Sequence, residues 1–296
     1  LEMINGGTAW KSAWLAISNN GSLLVSNSSA SIQGVLTNSG TIRVVNATPT
    51  FASNVVLNAG SFTFAGATNT FASGLAIASG ALFGGSGRVV NNGVTNAGTL
   101  APGNSPGTLS VTGPLTLAPG ATAAFDIDGP ASYSRVLAAG PVSAGGVLAP
   151  VLRGISGAAT NLYTPPLGQG FAVIGAPAGL AGSFATIAQP DGLAPNTRFD
   201  ALYGAGGLSL VVTPTRYATL AAGDWSAPIA AALDATRPPA GPVMTAGQSA
   251  VYAPLYPLTQ DQIVPALRQM SPAVYGDALL AHRAAFQWVS GAVNDA

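Results

Sequence analysis

Short apolar runs recur along the first part of the chain at a nearly constant interval, each ending at a polar corner that holds a glycine. The unit is seen in Asn20-Gly21-Ser22-Leu23, Asn38-Ser39-Gly40-Thr41-Ile42 and Asn58-Ala59-Gly60-Ser61-Phe62. It returns in Ser79-Gly80-Ala81-Leu82, Asn96-Ala97-Gly98-Thr99-Leu100 and Pro119-Gly120-Ala121-Thr122. The marker glycines Gly21, Gly40, Gly60, Gly80, Gly98 and Gly120 are separated by 19, 20, 20, 18 and 22 residues. A short apolar strand such as Val55-Val56-Leu57 or Leu75-Ala76-Ile77 precedes the glycine, and an alternating one such as Ser61-Phe62-Thr63-Phe64 follows it. One such unit cannot bury its own apolar side, whereas copies stacked at the β spacing of about 4.8 Å share a continuous core. Glycine at the corner supplies φ > 0, and the asparagine beside it tolerates the left-handed region and can hydrogen-bond along a stack. The pattern predicts a mainly β fold, a right-handed parallel β-helix. A sandwich would repeat its strands every 8–12 residues or so, and a Gly/Asn/Ser linker would lack the apolar period.

After Gly120 the rhythm fades, but β patterning continues to about residue 215 in Ala124-Phe125-Asp126-Ile127-Asp128, Gly170-Phe171-Ala172-Val173-Ile174 and Leu208-Ser209-Leu210-Val211-Val212. These runs lie between Gly and Pro clusters and predict a closing unit over the open end of the solenoid, where unpaired edges need cover. A Pro/Ala-rich connector follows, including Arg237-Pro238-Pro239, with a short helix predicted around Ala227–Asp234. The last forty residues are helical in pattern. Thr259-Gln260-Asp261-Gln262 fits a capping box that starts a helix running through Met270. Ser271-Pro272 makes an N-cap and first-turn pair for a second helix to about Val293. On that second helix Tyr275, Leu279, His282, Phe286, Val289 and Val293 share a face, next to a strip formed by Ala278, Ala281, Ala285 and Ala292.

Composition sharpens this picture chiefly by what is scarce. Charged residues make up 7% of the chain, against roughly 25% in an ordinary soluble domain, and ten positive charges balance ten negative ones. With arginines scattered singly and no charged tail, nucleic acid is not an expected partner. Hydrophobic residues amount to 48%, so the 38 glycines and 22 prolines punctuate a folded chain rather than a disordered one. Cysteine is absent, which suits a chain exported through an oxidising compartment. No window holds the run of about 18 apolar residues that a membrane helix needs. The first residues, Leu1-Glu2-Met3-Ile4-Asn5-Gly6-Gly7, lack a basic and an apolar leader region, so export would place them inside a longer chain.

Residue patterns that suggest chemistry do not hold up physically. Gly103-Asn104-Ser105-Pro106-Gly107 matches the nucleophile-elbow pattern, and Asp126 or Asp128 and then His282 follow in the order of that triad. The residue after the serine must donate its backbone N–H to an oxyanion, however, and Pro106 has none. A turn is expected there instead. Asp126 and Asp128 share one face of a strand with Ile127 opposite, but Ca²⁺ takes six to eight oxygens, so a solvated strand face is expected. His282 lies within an apolar stripe with no second His or Cys for zinc, and a packing role is expected. Trp10 and Trp14 are expected to pack within a rung rather than bind a ligand. From residue 3 to residue 125 there is no acidic residue, and the only basic ones are Lys11, Arg43 and Arg88. A polysaccharide lyase or glycosidase site, which needs clustered acids or a base beside carboxylates, is therefore not expected on this part of the solenoid. No catalytic, cofactor-binding or metal-binding residue is assigned.

Three features in this order resemble bacterial autotransporters of type V secretion. The solenoid ends in Gly98-Thr99-Leu100-Ala101-Pro102-Gly103-Asn104-Ser105-Pro106-Gly107-Thr108-Leu109-Ser110-Val111, which looks like the family's passenger-associated repeat. Tyr133-Ser134-Arg135-Val136-Leu137, Gly145-Gly146-Val147-Leu148, Gly170-Phe171-Ala172-Val173-Ile174 and Gly182-Ser183-Phe184-Ala185 are similar to the β-helical end of a passenger, which in this family helps folding outside the cell. Leu267-Arg268-Gln269-Met270-Ser271-Pro272-Ala273-Val274-Tyr275 looks like the start of the linker helix in the barrel pore. The resemblance implies β-helix rungs over 1–124, an autochaperone-like β cap over 125–215, a linker over 216–257 and a helical segment over 258–296. It implies a non-enzymatic passenger or stalk at the surface of a Gram-negative cell. The expected partners are an outer-membrane β-barrel, the protein's own C-terminal domain beyond Ala296, and the barrel assembly machinery. A β-helical adhesin or autoaggregation protein, touching a host surface or sister molecules through its uncharged Asn/Thr-rich flanks, is the alternative expectation.

Overall fold

The computed structural model describes residues 2–4 (backbone only), 17–103, 106–152 and 163–270. Among them the twenty-residue period closes into a parallel β-solenoid with three strand-bearing faces. The first face is an eight-stranded sheet of three-residue strands: Ile17–Asn19, Leu36–Asn38, Val55–Leu57, Leu75–Ile77, Val94–Asn96, Leu115–Leu117, Val142–Ala144 and Leu180–Gly182. Each pairs in parallel with the next, Leu36 opposite Val55, Val55 opposite Leu75 and Leu75 opposite Val94. After the glycine corner the second face carries Ser22–Ser26, Thr41–Val45, Thr99–Pro102, Thr122–Ile127 and Val147–Leu152. The third face carries Thr50–Phe51, Thr108–Val111 and Arg135–Ala138. Ser61–Phe71 and Leu82–Asn91 run unbroken through the corner between these two faces, which therefore form one sheet.

Alternation decides which side chains enter the core. On the first face the outer two positions of each strand point inward, as in the buried pair Val55 and Leu57 around the half-buried Val56. Residues in register stack on their equivalents one rung away. Phe51 lies over Phe71 with ring centroids 5.0 Å apart and planes within 8°, and Phe62 and Phe64 both lie 5.5 Å from Phe83. These offset and tilted contacts are the preferred aromatic geometries.

Of the six marker glycines only Gly60 and Gly80 take the positive φ expected of the corner. At Gly40 and Gly60 the reason for glycine is steric: a Cβ at Gly40 would lie 2.1 Å from the Gly21 carbonyl oxygen, and one at Gly60 would lie 2.0 Å from that of Gly40. The first three corners thus touch backbone to backbone. The asparagines divide the two tasks expected of them. Asn38 and Asn96 point inward at the end of the first face and are buried. Asn19 Nδ2 donates to Asn38 Oδ1 at 2.7 Å, and Asn38 Nδ2 donates to the Gly40 carbonyl at 3.0 Å. The left-handed conformation belongs instead to Asn27 and Asn46, at the corner between the second and third faces.

Stacking does not stop at residue 124. Thr122–Ile127 pairs with Val147–Leu152 over six residues, and Val142–Ala144 pairs with Leu180–Gly182. The period lengthens because longer turns are inserted between rungs: Leu115 pairs with Val142, and Val142 with Leu180. That is why the rhythm fades in sequence while the stack persists in space.

The segment 216–257, expected to be a connector, is folded. It holds α1 (Tyr217–Leu220), α2 (Ala227–Thr236) and α3 (Ala246–Tyr252), followed by α4 (Gln260–Gln269). Tyr217, Ala221, Ala230, Leu233, Tyr252, Leu255, Tyr256, Ile263 and Leu267 form a second apolar cluster that reaches Val211 of the β structure. High Pro and Ala content suggested a tether, but three buried tyrosines supply enough apolar surface for a small helical module. Gln262 Oε1 accepts the backbone N–H of Thr259 at 3.1 Å, the reciprocal half of a capping box at the start of α4. The helix expected from Ser271 to Val293 lies outside the described residues.

Candidate functional site

The C-terminal end of the solenoid is the most elaborated part of the molecule. Gly170–Gly175 pairs in parallel with Arg135–Ala138 on one side and antiparallel with Gly207–Pro214 on the other. Gly207–Pro214 continues antiparallel to Thr197–Gly204 as a hairpin. The switch of direction ends the parallel stack. The outer edge of the hairpin is then blocked: Gln189 accepts the Phe199 N–H at 2.8 Å and donates to its carbonyl at 2.9 Å, imitating a further strand. Two residues on, the Ala201 N–H donates to the Ala240 carbonyl at 2.8 Å. An edge covered in this way offers no template for another chain.

A buried polar cluster fastens the helical module to the hairpin. Asp200 is 0% exposed. Its carboxylate accepts from Arg198 Nη2 at 2.8 Å, Arg198 Nε at 3.2 Å, Arg237 Nη2 at 2.6 Å and the Thr213 hydroxyl. Arg237 enters from the loop after α2, donates to the Pro214 carbonyl and to that of Thr215 at 2.9 Å, and lies 5.2 Å from the Tyr217 ring centroid. Burial pushes the Tyr217 phenol well above its usual range, with the nearby Arg237 charge opposing the shift. Tyr203 Oη adds a second fastening, accepting the Phe184 N–H at 2.9 Å and donating to the Gly241 carbonyl at 2.8 Å.

Within the module, Asp234 caps α1 by accepting the N–H groups of Tyr217 (2.7 Å) and Ala218 (3.0 Å). Arg268 of α4 pairs with Asp224, donating from Nε to Oδ2 at 3.0 Å. That bond from Arg268, with those from Ser226, holds the Asp224 carboxyl well below the usual carboxylate range.

Residues with apparent chemistry fall elsewhere. Asp126 is not on a solvated face: it is 1% exposed, while Asp128 is half-buried. The turn after the strand folds back, with the Ser134 N–H donating to the Asp126 carbonyl at 2.8 Å and Tyr133 bridging to Ile127. Asn104 and Ser105 lie outside the described residues, but the flanking strands are clear. Thr99–Pro102 and Thr108–Val111 both pair with Leu82–Asn91, so the segment between them joins strand to strand. A nucleophile elbow joins strand to helix. His282, Trp10 and Trp14 also lie outside the described residues. Among the described residues, no three His, Cys, Asp or Glu side chains cluster as metal ligands would. No helix among them is long and apolar enough to cross a membrane.

Sequence reasoning missed the Asp200 cluster. Its only local signal is the two-residue spacing of Arg198 and Asp200, which puts both on one side of a strand. Arg237 comes from a loop whose course depends on the packing of α2. No protein-family model matches the chain, and no curated protein matches it.

Proposed function

We propose that this chain is a non-enzymatic passenger or stalk segment of an autotransporter, supporting extracellular folding and surface display through an outer-membrane barrel. The observation that carries the reading is the asymmetry of the solenoid. Its C-terminal end is finished by the hairpin, the Gln189 edge block and the helical module. Toward the N-terminus the parallel stacking runs on instead, with Ser22–Ser26 between Thr41–Val45 on one side and Glu2–Ile4 on the other. A stack closed at one end extends by adding rungs at the other, each templated by the last. In secretion, a stable end that folds outside cannot slide back, and the folding of further rungs then biases transport outward. The barrel would be the protein's own C-terminal domain, inserted by the barrel assembly machinery, and the chain would stand at a Gram-negative cell surface.

The test is to delete residues 133–213 from the full-length reading frame and measure protease-resistant display on intact cells. Loss of resistant display is expected. Normal display would overturn the reading, as would a stop codon directly after residue 296 in place of the alternating strands of about ten residues that build a barrel.

A further inference from the structure

We infer that the third face of the solenoid binds an extended, carboxylated oligosaccharide through Arg88, Arg135 and Leu137. The inference does not rest on the autotransporter reading, and each can fail alone. Arg88 is in register with Ser110, and Ser110 with Leu137, so these three form one outward column across successive rungs. Arg135 stands two residues from Leu137 on the same strand, in register with Thr108. Both arginines are exposed, and neither forms a salt bridge among the described residues. On a chain this poor in charge, two exposed cations without a salt bridge among the described residues, with hydroxyls between them, mark a place where the surface departs from its background.

The patch is held in shape. The Arg135 guanidinium lies 5.4 Å from the Tyr133 ring centroid, and Tyr133 meets Phe171 edge-on at 5.4 Å. A ring face steadies a guanidinium without occupying its in-plane donors, which remain directed at a ligand. Leu137 is 46% exposed, unusual for a leucine on a sheet face. Beside it lies an open depression of about 480 Å³ lined mostly by apolar atoms, bordered by Arg88, Ser110, Thr112, Leu137, Gly175 and Pro177. Gly175 keeps the floor low, since a Cβ there would come within 3.0 Å of Leu137 Cδ2.

The spacing selects the ligand. Arg88 and Arg135 sit two rungs apart, about 9–10 Å along the stack. A single phosphate calls for donors converging on one point, and a nucleic acid duplex for a basic stripe. Two separated cations with hydroxyls between them and one apolar side chain beside the second suit a linear glycan. Its carboxylates would meet the arginines, its hydroxyls Ser110 and Thr108, and a C–H face of one ring Leu137.

The experiment titrates the purified chain with oligogalacturonate, with the same oligomers methyl-esterified, and with DNA duplexes and anionic phospholipid vesicles of matched charge. Saturable binding of oligogalacturonate is expected, weakening as salt rises and absent for the ester. Arg88→Gln with Arg135→Gln should weaken it by about tenfold or more. Arg43→Gln, an exposed arginine on the second face, should leave it unchanged. Unaltered thermal unfolding of these surface variants would confirm that they fold. Failure to bind oligogalacturonate, equal binding of the ester, DNA or vesicles, or a double variant that binds like the parent would each overturn the inference.

Discussion

At the scale of single residues, position within a rung decides what a side chain does. Asparagine shows this: inward at the end of the first face it hydrogen-bonds along the stack, while at the next corner it adopts the left-handed backbone. Asp200 is the extreme case, a carboxylate shut away from water and satisfied by two arginines and a threonine. Removing one partner of a buried ion pair leaves the others uncompensated, which typically costs about 3–5 kcal/mol. Asp200→Asn is expected to destabilise the C-terminal end by that order, seen as a lower denaturant midpoint. A second prediction concerns Phe62, which is fully buried and touches Phe51, Phe64, Phe71 and Phe83. Phe62→Ala opens a cavity that neighbouring rungs cannot collapse into, and a loss of about 3–5 kcal/mol is expected in the same assay.

At the scale of elements, the helical module is joined to the hairpin by the Asp200 cluster, by the bonds of Tyr203 and Ala201 to the loop after α2, and by one apolar seam. Its own contact between α4 and the turn before α2 depends on charge, because Arg268 and Ser226 bond the ionised form of Asp224. The folded carboxyl titrates below the ordinary aspartate value of about 3.9. The contact is therefore complete above about pH 4 and is lost as pH falls through the folded value. Protection of α4 amides, taken relative to the intrinsic exchange rate at each pH, is expected to fall on acidification while the solenoid strands stay protected. Asp224→Asn should lower that protection at neutral pH and leave it insensitive to acid. Equal acid sensitivity in the variant would assign the effect to another group.

At the scale of the whole molecule, stability should run in a gradient. Each rung contacts only its neighbours, so protection falls with distance from a fastened end. The C-terminal rungs are covered by the hairpin and fastened through Tyr203, Gln189 and Asp200. Amide exchange is expected to be slowest in Thr122–Ile127 and Arg135–Ala138 and to quicken toward Ile17–Asn19. A uniform rate along the stack would mean that the closed end does not anchor the solenoid.

Local pattern alone determined the solenoid. Inward positions are set by neighbours a few residues apart, and a repeated unit with one apolar side has to stack; Gly40 and Gly60 answer to the carbonyl of the preceding rung. The start of α4 was equally legible, since a capping box is written in four consecutive residues. Tertiary structure decided the rest. Asp126 is buried although alternation puts it on the side opposite Ile127, and the rungs past residue 124 were hidden by insertions that lengthen the period without breaking the stack. The helical module arises from tyrosines at wide spacing, and the Asp200 cluster joins a hairpin to a loop nearly forty residues away. The Arg88, Leu137 and Arg135 patch exists because rungs place distant residues in one column. Sequence pattern reports periodicity along the chain; register between rungs and the course of long turns come from packing across it.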